Sequence, residues 1–119
     1  AGSALDVPPL SDTQFAALAT LERHGEMTPR DLAEHEKVQP PSMTRVIAVL
    51  TDCGLVTRAP HAIDKRQVVL AVTAEGRDLV QRSRRRRDAW LAKRLAELSV
   101  AERATLRAAA PILEKLSQA

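Results

Sequence analysis

Two consecutive prolines, Pro40 and Pro41, forbid a helix from running through them. Each lacks a backbone N–H, and each ring pushes the preceding residue out of the helical region. The sequence is nonetheless helical in pattern on both sides. Upstream, Thr28-Pro29-Arg30-Asp31 reads as a helix start, with Thr28 as N-cap, Pro29 at the first helical position and Asp31 three residues after the cap. Leu32 and Ala33 supply its buried side, and Val38 lies in the turn that follows. Downstream, Met43, Val46, Ile47 and Leu50 fall at i, i+3, i+4 and i+7, which is one apolar helical face that Gly54 ends. Two short helices joined by a tight turn are therefore expected, the second beginning at or just after the proline pair. Its opposite face carries Pro41, Arg45, Ala48 and Asp52, with Ser42 and Thr44 on the flanks. Small and polar, and basic at its start, that face suits a helix whose first turns enter a groove.

Composition narrows the chemistry. A chain of 119 residues fits one domain, and with 45% hydrophobic residues it is expected to fold as a soluble protein. Phe15 and Trp90 are its only aromatic residues, so the core must be aliphatic. Apolar stretches such as Val68 to Val72 and Ala108 to Ile112 fall far short of the roughly 20 residues a bilayer span needs. The lone Cys53 has no internal disulfide partner, and His24, His35 and His61 have no zinc spacing. His35-Glu36 opens like a metalloprotease helix, but Gln39 stands where the second histidine belongs. Neither a glycine-rich phosphate loop nor a G-x-S-x-G turn is present, so the sequence predicts no enzyme, metal or cofactor. Eighteen Lys and Arg against 15 Asp and Glu give a net charge of +3, and 14 of the cations are arginine. Arginine is the side chain suited to bidentate phosphate and guanine contacts, so nucleic acid is the first partner expected.

The rest of the chain supplies a frame. Ser11 caps a first helix whose stripe is read as Phe15, Leu18, Ala19 and Glu22, widened by Leu21, and Gly25 is expected in the left-handed region at its end. After Gly54 the period changes to two. Leu55 to Ala59 and Gln67 to Thr73 read as strands of a hairpin with an extended tip. Thr73 caps a long helix carrying Leu79, Val80, Trp90, Leu91, Leu95 and Leu98. Ser99-Val100-Ala101-Glu102 is a capping box opening a last helix striped with Leu106, Ala109, Ala110, Leu113 and Leu116, where Pro111 should kink the helix or unwind one bond.

Three helices followed by a β-hairpin resemble the winged helix-turn-helix. More narrowly, Asp64-Lys65-Arg66 followed by Val72-Thr73-Ala74-Glu75-Gly76 resembles the D-x-R and L-T-x-x-G wing signature of the MarR (multiple antibiotic resistance regulator) family, with Val72 in place of Leu. Pro40 to Ile47 is similar to that family's recognition helix, and the likeness covers about residues 11–117. The resemblance implies a mainly α fold with a small β-wing: an N-terminal segment over 1–10, a winged helix-turn-helix lobe over 11–76 and a helical dimerisation region over 77–119. Family members usually begin with a helix that pairs protomers, where here a short proline-containing segment precedes Ser11. They also usually have a small hydroxylic residue where Gln39 stands, so Ser42 is expected to cap the recognition helix instead.

The implied function is that of a homodimeric, cytoplasmic DNA-binding transcriptional regulator, expected to be a repressor that binds a pseudo-palindromic duplex and responds to a small aromatic or lipophilic effector. Such an effector would sit between the dimer base and the DNA-binding lobe. The expected DNA contacts are Pro41, Ser42, Thr44 and Arg45 in the major groove, Asp64, Lys65 and Arg66 at the wing, Arg58 and His61 beside them, and Thr28 with Arg30 at a helix start. Trp90, Leu91, Leu95, Leu98, Leu106, Leu113 and Leu116 are expected to form the dimer base. Blander roles stand beside these. Asp64 and Arg66 could merely staple the hairpin, Arg82 with Arg84 to Arg87 reads as a solvated or dimer-facing run, and Cys53 reads as an ordinary thiol at a helix end. The rival function is a winged-helix module for dimerisation or protein contact without DNA binding, which predicts no salt-sensitive duplex binding.

Overall fold

The computed structural model describes residues 9–117. Its elements run α1 (Asp12–His24), α2 (Pro29–Glu36), α3 (Pro40–Asp52), β1 (Val56–Pro60), β2 (Val68–Val72), α4 (Ala74–Ala96) and α5 (Val100–Ser117). The expected winged helix-turn-helix is present. The chain divides into two compact units, one ending at Ser83 and the other starting at Arg84. Residues 1–8 of the expected N-terminal segment lie outside the described residues; Leu10 packs against the core.

The first unit is held by one aliphatic core. Leu18 and Leu21 of α1, Leu32 of α2, Met43 and Leu50 of α3, Leu55, Leu70 of β2 and Val80 of α4 are fully buried, each stabilising the fold by about 1.5–3 kcal/mol through loss of apolar surface. Met43, Val46, Ile47 and Leu50 are the buried face of α3, as their spacing implied. In α1 the buried side is instead Ala17, Leu18, Thr20 and Leu21, and Phe15 is only half-buried. A polar residue displaces the expected stripe because the Thr20 hydroxyl donates to Glu36 Oε2 at 2.7 Å, a bond from α1 to the end of α2 that makes its burial tolerable.

Helix ends follow local chemistry, with three departures. Ser11 and Gln14 form a reciprocal capping box on α1, and Thr28 accepts the Asp31 N–H at the start of α2. Gly25 does take a positive φ of 84°, but its ψ of −150° lies outside the left-handed helical region. Lys37 holds that region instead, at φ 55°, where it ends α2. The third departure is at α3, which starts at Pro40 and includes both prolines in its first turn. Gln39 is its N-cap without a side-chain bond, and Ser42 lies inside the helix. Two residues that lack N–H groups remove donors that a cap would otherwise have to satisfy.

The strands pair antiparallel with Val56 opposite Val72 and Pro60 opposite Val68. Met27, just ahead of α2, bridges Leu70 through bonds of 3.2 and 2.7 Å, so the loop between α1 and α2 lies along the hairpin edge. At the hairpin base the Thr73 hydroxyl donates to the Gly54 carbonyl at 2.7 Å and accepts the Gly76 N–H at 3.1 Å. The Thr73 N–H donates to the Leu55 carbonyl. A side chain at Gly76 would collide with that same carbonyl oxygen and approach Val72 Cγ2 to 2.7 Å.

In the second unit, Ser99 and Glu102 exchange the expected capping-box bonds at 2.9 and 3.1 Å. α5 is unbroken through Pro111, which can donate no bond to the carbonyl four residues earlier. No residue of α5 is buried, and Trp90, Leu91, Val100, Leu106, Ile112, Leu113 and Leu116 are exposed. Leu95 and Leu98 are half-buried. Arg94 stacks over the Trp90 ring at 5.3 Å.

Candidate nucleic-acid interface

The exposed side of α3 carries Pro41, Thr44, Arg45 and Asp52, with Ser42 and Ala48 half-buried. This is the outward face expected from the turn-by-turn spacing, with one refinement. Arg45 Nη2 donates to Ser42 Oγ at 3.1 Å, one turn earlier, so these two residues act as a pair. Ser42 orients the guanidinium and leaves its remaining N–H groups for a ligand. The Thr44 hydroxyl donates back to the Pro40 carbonyl at 3.0 Å, which leaves it an acceptor on the outside of the helix. No acidic residue stands in the first turn of α3 to repel an anion.

The hairpin tip presents a second cationic feature. The Arg66 side chain is 91% exposed, yet it is not loose: its Nε and Nη2 donate to the two Asp64 carboxylate oxygens at 3.1 and 3.4 Å, and its backbone N–H bonds Asp64 Oδ1 at 3.1 Å. These bonds, the side-chain one foremost, hold the Asp64 carboxyl below the usual carboxylate value. The paired fork fixes the guanidinium plane while leaving one edge open. Lys65 and Arg58 are exposed, the latter on β1 opposite Leu70. His61 faces inward to its own turn, where Nδ1 accepts the N–H groups of Ile63 and Asp64. These bonds use Nδ1 alone and leave Nε2 for the surface or phosphate contact expected of His61.

The start of α2 lies between these two features. Thr28, Arg30 and Glu34 share a solvent-open hollow of about 670 Å³ with Gln67 and Val68 at the start of β2. Arg30 also borders a hollow of about 690 Å³ with Lys37, Pro40, Met43 and Thr44. Arg30 therefore neighbours both the hairpin and α3. As an anion site the start of α2 is narrower than the sequence implied. Thr28 already takes the Asp31 N–H, Pro29 has none to give, and the Asp31 carboxylate sits in the same turn. Arg30 leans 3.4 Å from Glu34 on an exposed surface, a pair weak enough to yield to a phosphate. Gln67, Val68 and Lys37 are the neighbours that sequence reasoning missed. Only the left-handed backbone at Lys37 has a local cause, and no motif announces it.

The seven residues expected at a dimer base all belong to the second unit, and five of them are exposed. Arg82 pairs with Asp78 one turn away at 2.8 Å. Cys53 is half-buried against the core at the end of α3, consistent with a packing role. Among the described residues no cluster of three or more His, Cys, Asp or Glu could hold a metal ion, and no helix is long and apolar enough to cross a membrane.

Comparison with known proteins agrees with this architecture. A family model described as "MarR family" matches residues 10–68. An uncharacterized HTH-type transcriptional regulator of Mycobacterium bovis, Mb0904, is 54% identical over 105 residues, covering 88% of this chain and 73% of the relative. The crystal structure of RV1404 from Mycobacterium tuberculosis superposes with a TM-score of 0.83 at 29% identity, over 89% of this chain and 73% of that one. FabT of Streptococcus pneumoniae, solved in complex with DNA, shares the fold at 20% identity, with a TM-score of 0.78 over 98% of this chain and 80% of its own.

Proposed function

The chain belongs to the MarR family of winged helix-turn-helix transcriptional regulators, DNA-binding proteins and not enzymes, and from that premise we propose that it works in the cytoplasm as a homodimeric, ligand-responsive repressor. The observation that carries the proposal is the coexistence of two preformed cationic features in one unit. One is the Arg45–Ser42 pair on a helix face of small residues, and the other is Arg66 held on Asp64 at an exposed hairpin tip.

In this reading α3 lies in the major groove. Arg45 reaches a guanine edge or a phosphate, Thr44 accepts from a base or contacts the backbone, and Pro41 presses apolar surface on a thymine methyl. Arg66 enters the neighbouring minor groove, with Lys65, Arg58 and Arg30 attracting phosphates around it. Two copies joined through the exposed apolar residues of the second unit place their α3 helices on half-sites about one helical turn apart, which requires a pseudo-palindromic operator. Occupying such a site blocks transcription. A small aromatic or lipophilic effector that favours a different separation of the two α3 helices releases the block.

The test is titration of a duplex, selected by the chain from a random-sequence pool, at two salt concentrations. Affinity should fall steeply with salt, and Arg66→Ala should weaken binding and lower the salt slope by about one. Arg45→Ala should cost about 1–3 kcal/mol and relax sequence choice if the side chain reads a base, or weaken all duplexes alike if it holds a phosphate. Binding that ignores both salt and Arg66→Ala rejects the proposal and favours a dimerisation or protein-contact module.

A further inference from the structure

We propose that His61 is a positioning residue for the wing arginine, acting through a chain of hydrogen bonds that runs His61 ring, Asp64 backbone, Asp64 carboxylate, Arg66 guanidinium. The proposal rests on the reading that Arg66 meets DNA, and deepens it.

Between Val56 and Leu70 no residue of the hairpin is buried, and Ile63 at the tip is 90% exposed. Apolar packing therefore cannot set the shape of the tip, and polar bonds must. Those bonds converge on His61. Its backbone N–H donates to the Gln67 carbonyl at 2.9 Å, closing the tip above the last strand pair. Its ring Nδ1 accepts two backbone N–H groups, from Ile63 and from Asp64, each at 3.1 Å. A backbone N–H can only donate, so Nδ1 must carry a lone pair, and the ring proton sits on Nε2. The Gln67 N–H returns to the Asp64 carbonyl at 3.0 Å. Asp64 is thus fixed at its N–H by His61 and at its carbonyl by Gln67, and its carboxylate has one place to go. That place is where Arg66 Nε, Nη2 and N–H meet it.

Without the ring acceptor, the Ile63 and Asp64 N–H groups turn to water and the turn loses its defining contact. The Asp64–Arg66 fork then survives only in a fraction of tip conformations. Arg66 keeps its charge but loses its aim, so binding falls by the cost of reordering it. The first acceptor atom of Asn lies as many bonds from Cα as His Nδ1 and takes the same kind of backbone bond. Phe keeps a ring but removes the acceptor.

The experiment uses the full chain and the duplex selected as above, with His61→Phe, His61→Asn, Arg66→Ala and the double variant of His61→Phe with Arg66→Ala. His61→Phe should weaken duplex binding about fivefold, the worth of roughly one net hydrogen bond, while His61→Asn should stay within about twofold of the parent. In the Arg66→Ala background His61→Phe should add nothing, because the residue it positions is gone. Amide exchange at Ile63 and Asp64 should speed in His61→Phe and recover in His61→Asn, and ring ¹⁵N shifts should show the Nε2–H tautomer. A direct phosphate contact predicts the opposite pattern: no rescue by Asn and an undiminished loss in the Arg66→Ala background. Either result overturns the proposal, as does an Nδ1–H tautomer. If Arg66→Ala alone leaves binding unchanged, the wing reading fails. The exchange and tautomer measurements then still decide whether His61 shapes the tip.

Discussion

Gly76→Ala should destabilise the protein even though alanine is the better helix former. Gly76 lies in the first turn of α4, where propensity alone would favour alanine by up to about 1 kcal/mol. The space is already taken: an added Cβ overlaps the Leu55 carbonyl oxygen and sits 2.7 Å from Val72 Cγ2. The carbonyl cannot yield cheaply, because it accepts the Thr73 N–H at 3.0 Å and Leu55 itself is buried in the core. Overpacking of this kind costs about 1–3 kcal/mol, and straining the Thr73 bond adds up to about 1 kcal/mol. After the propensity gain is subtracted, a loss of about 1–3 kcal/mol remains. Urea titration at fixed chain concentration measures it. With a slope of about 2 kcal/mol/M, a 2 kcal/mol loss lowers the midpoint by about 1 M. Gly54→Ala is the contrasting case: nothing lies within 4 Å of a Cβ there, and only its φ of 73° resists the change. A Gly76→Ala midpoint equal to or above that of the parent would refute the claim that close approach to Leu55 is why glycine stands there.

Acid should release the wing fork in a defined order. Because Arg66 lowers the Asp64 pKa, the stabilisation from that pair is fully present above the ordinary carboxylate value and disappears as pH falls through the lower value of the folded state. Protection of the Arg66 Nε–H, followed by NMR, should therefore persist into more acid solution than carboxylates normally stay ionised; loss at ordinary carboxylate pH would show the pair is not formed. At the other end of the chain, Leu113→Glu should convert a dimer into a monomer in sedimentation equilibrium and weaken duplex binding, since it places a charge on the exposed apolar stripe of α5. Unchanged association would move the dimer base elsewhere.

What the sequence disclosed was what neighbours within a few residues decide. The hairpin after Gly54 showed in its change of period to two, and the α3 stripe and the Ser11, Thr28 and Ser99 caps depend on contacts less than about one or two turns long, each where the spacing put it. The fork of Asp64 and Arg66 was legible for the same reason. Longer-range facts were not. Thr20 is buried because of Glu36, sixteen residues away, and nothing in the α1 pattern distinguishes it from a surface threonine. The Met27 bridge to Leu70 involves one residue, too few to generate a period. Leu106, Leu113 and Leu116 could be recognised as a stripe, but among the described residues nothing buries them, and a pattern within one helix does not name what would.

The start of α3 shows how a local rule can mislead when two solutions to the same physical problem exist. A helix start leaves N–H groups without partners, and a side-chain cap is the usual remedy, so a glutamine at the cap position directs attention to Ser42. Here Pro40 and Pro41 occupy the first two helical positions and have no N–H groups, while Met43 already donates to the Gln39 carbonyl at 2.9 Å. With the demand for a cap reduced at its source, Ser42 is released from capping and serves Arg45 instead. The same two prolines end α2's reach, fix the entry into α3 and keep its first turn free of the acidic residues that helix starts otherwise attract. On a surface proposed to approach phosphates, removing donors with proline leaves an uncharged leading edge, whereas satisfying them with aspartate would have placed a negative charge there.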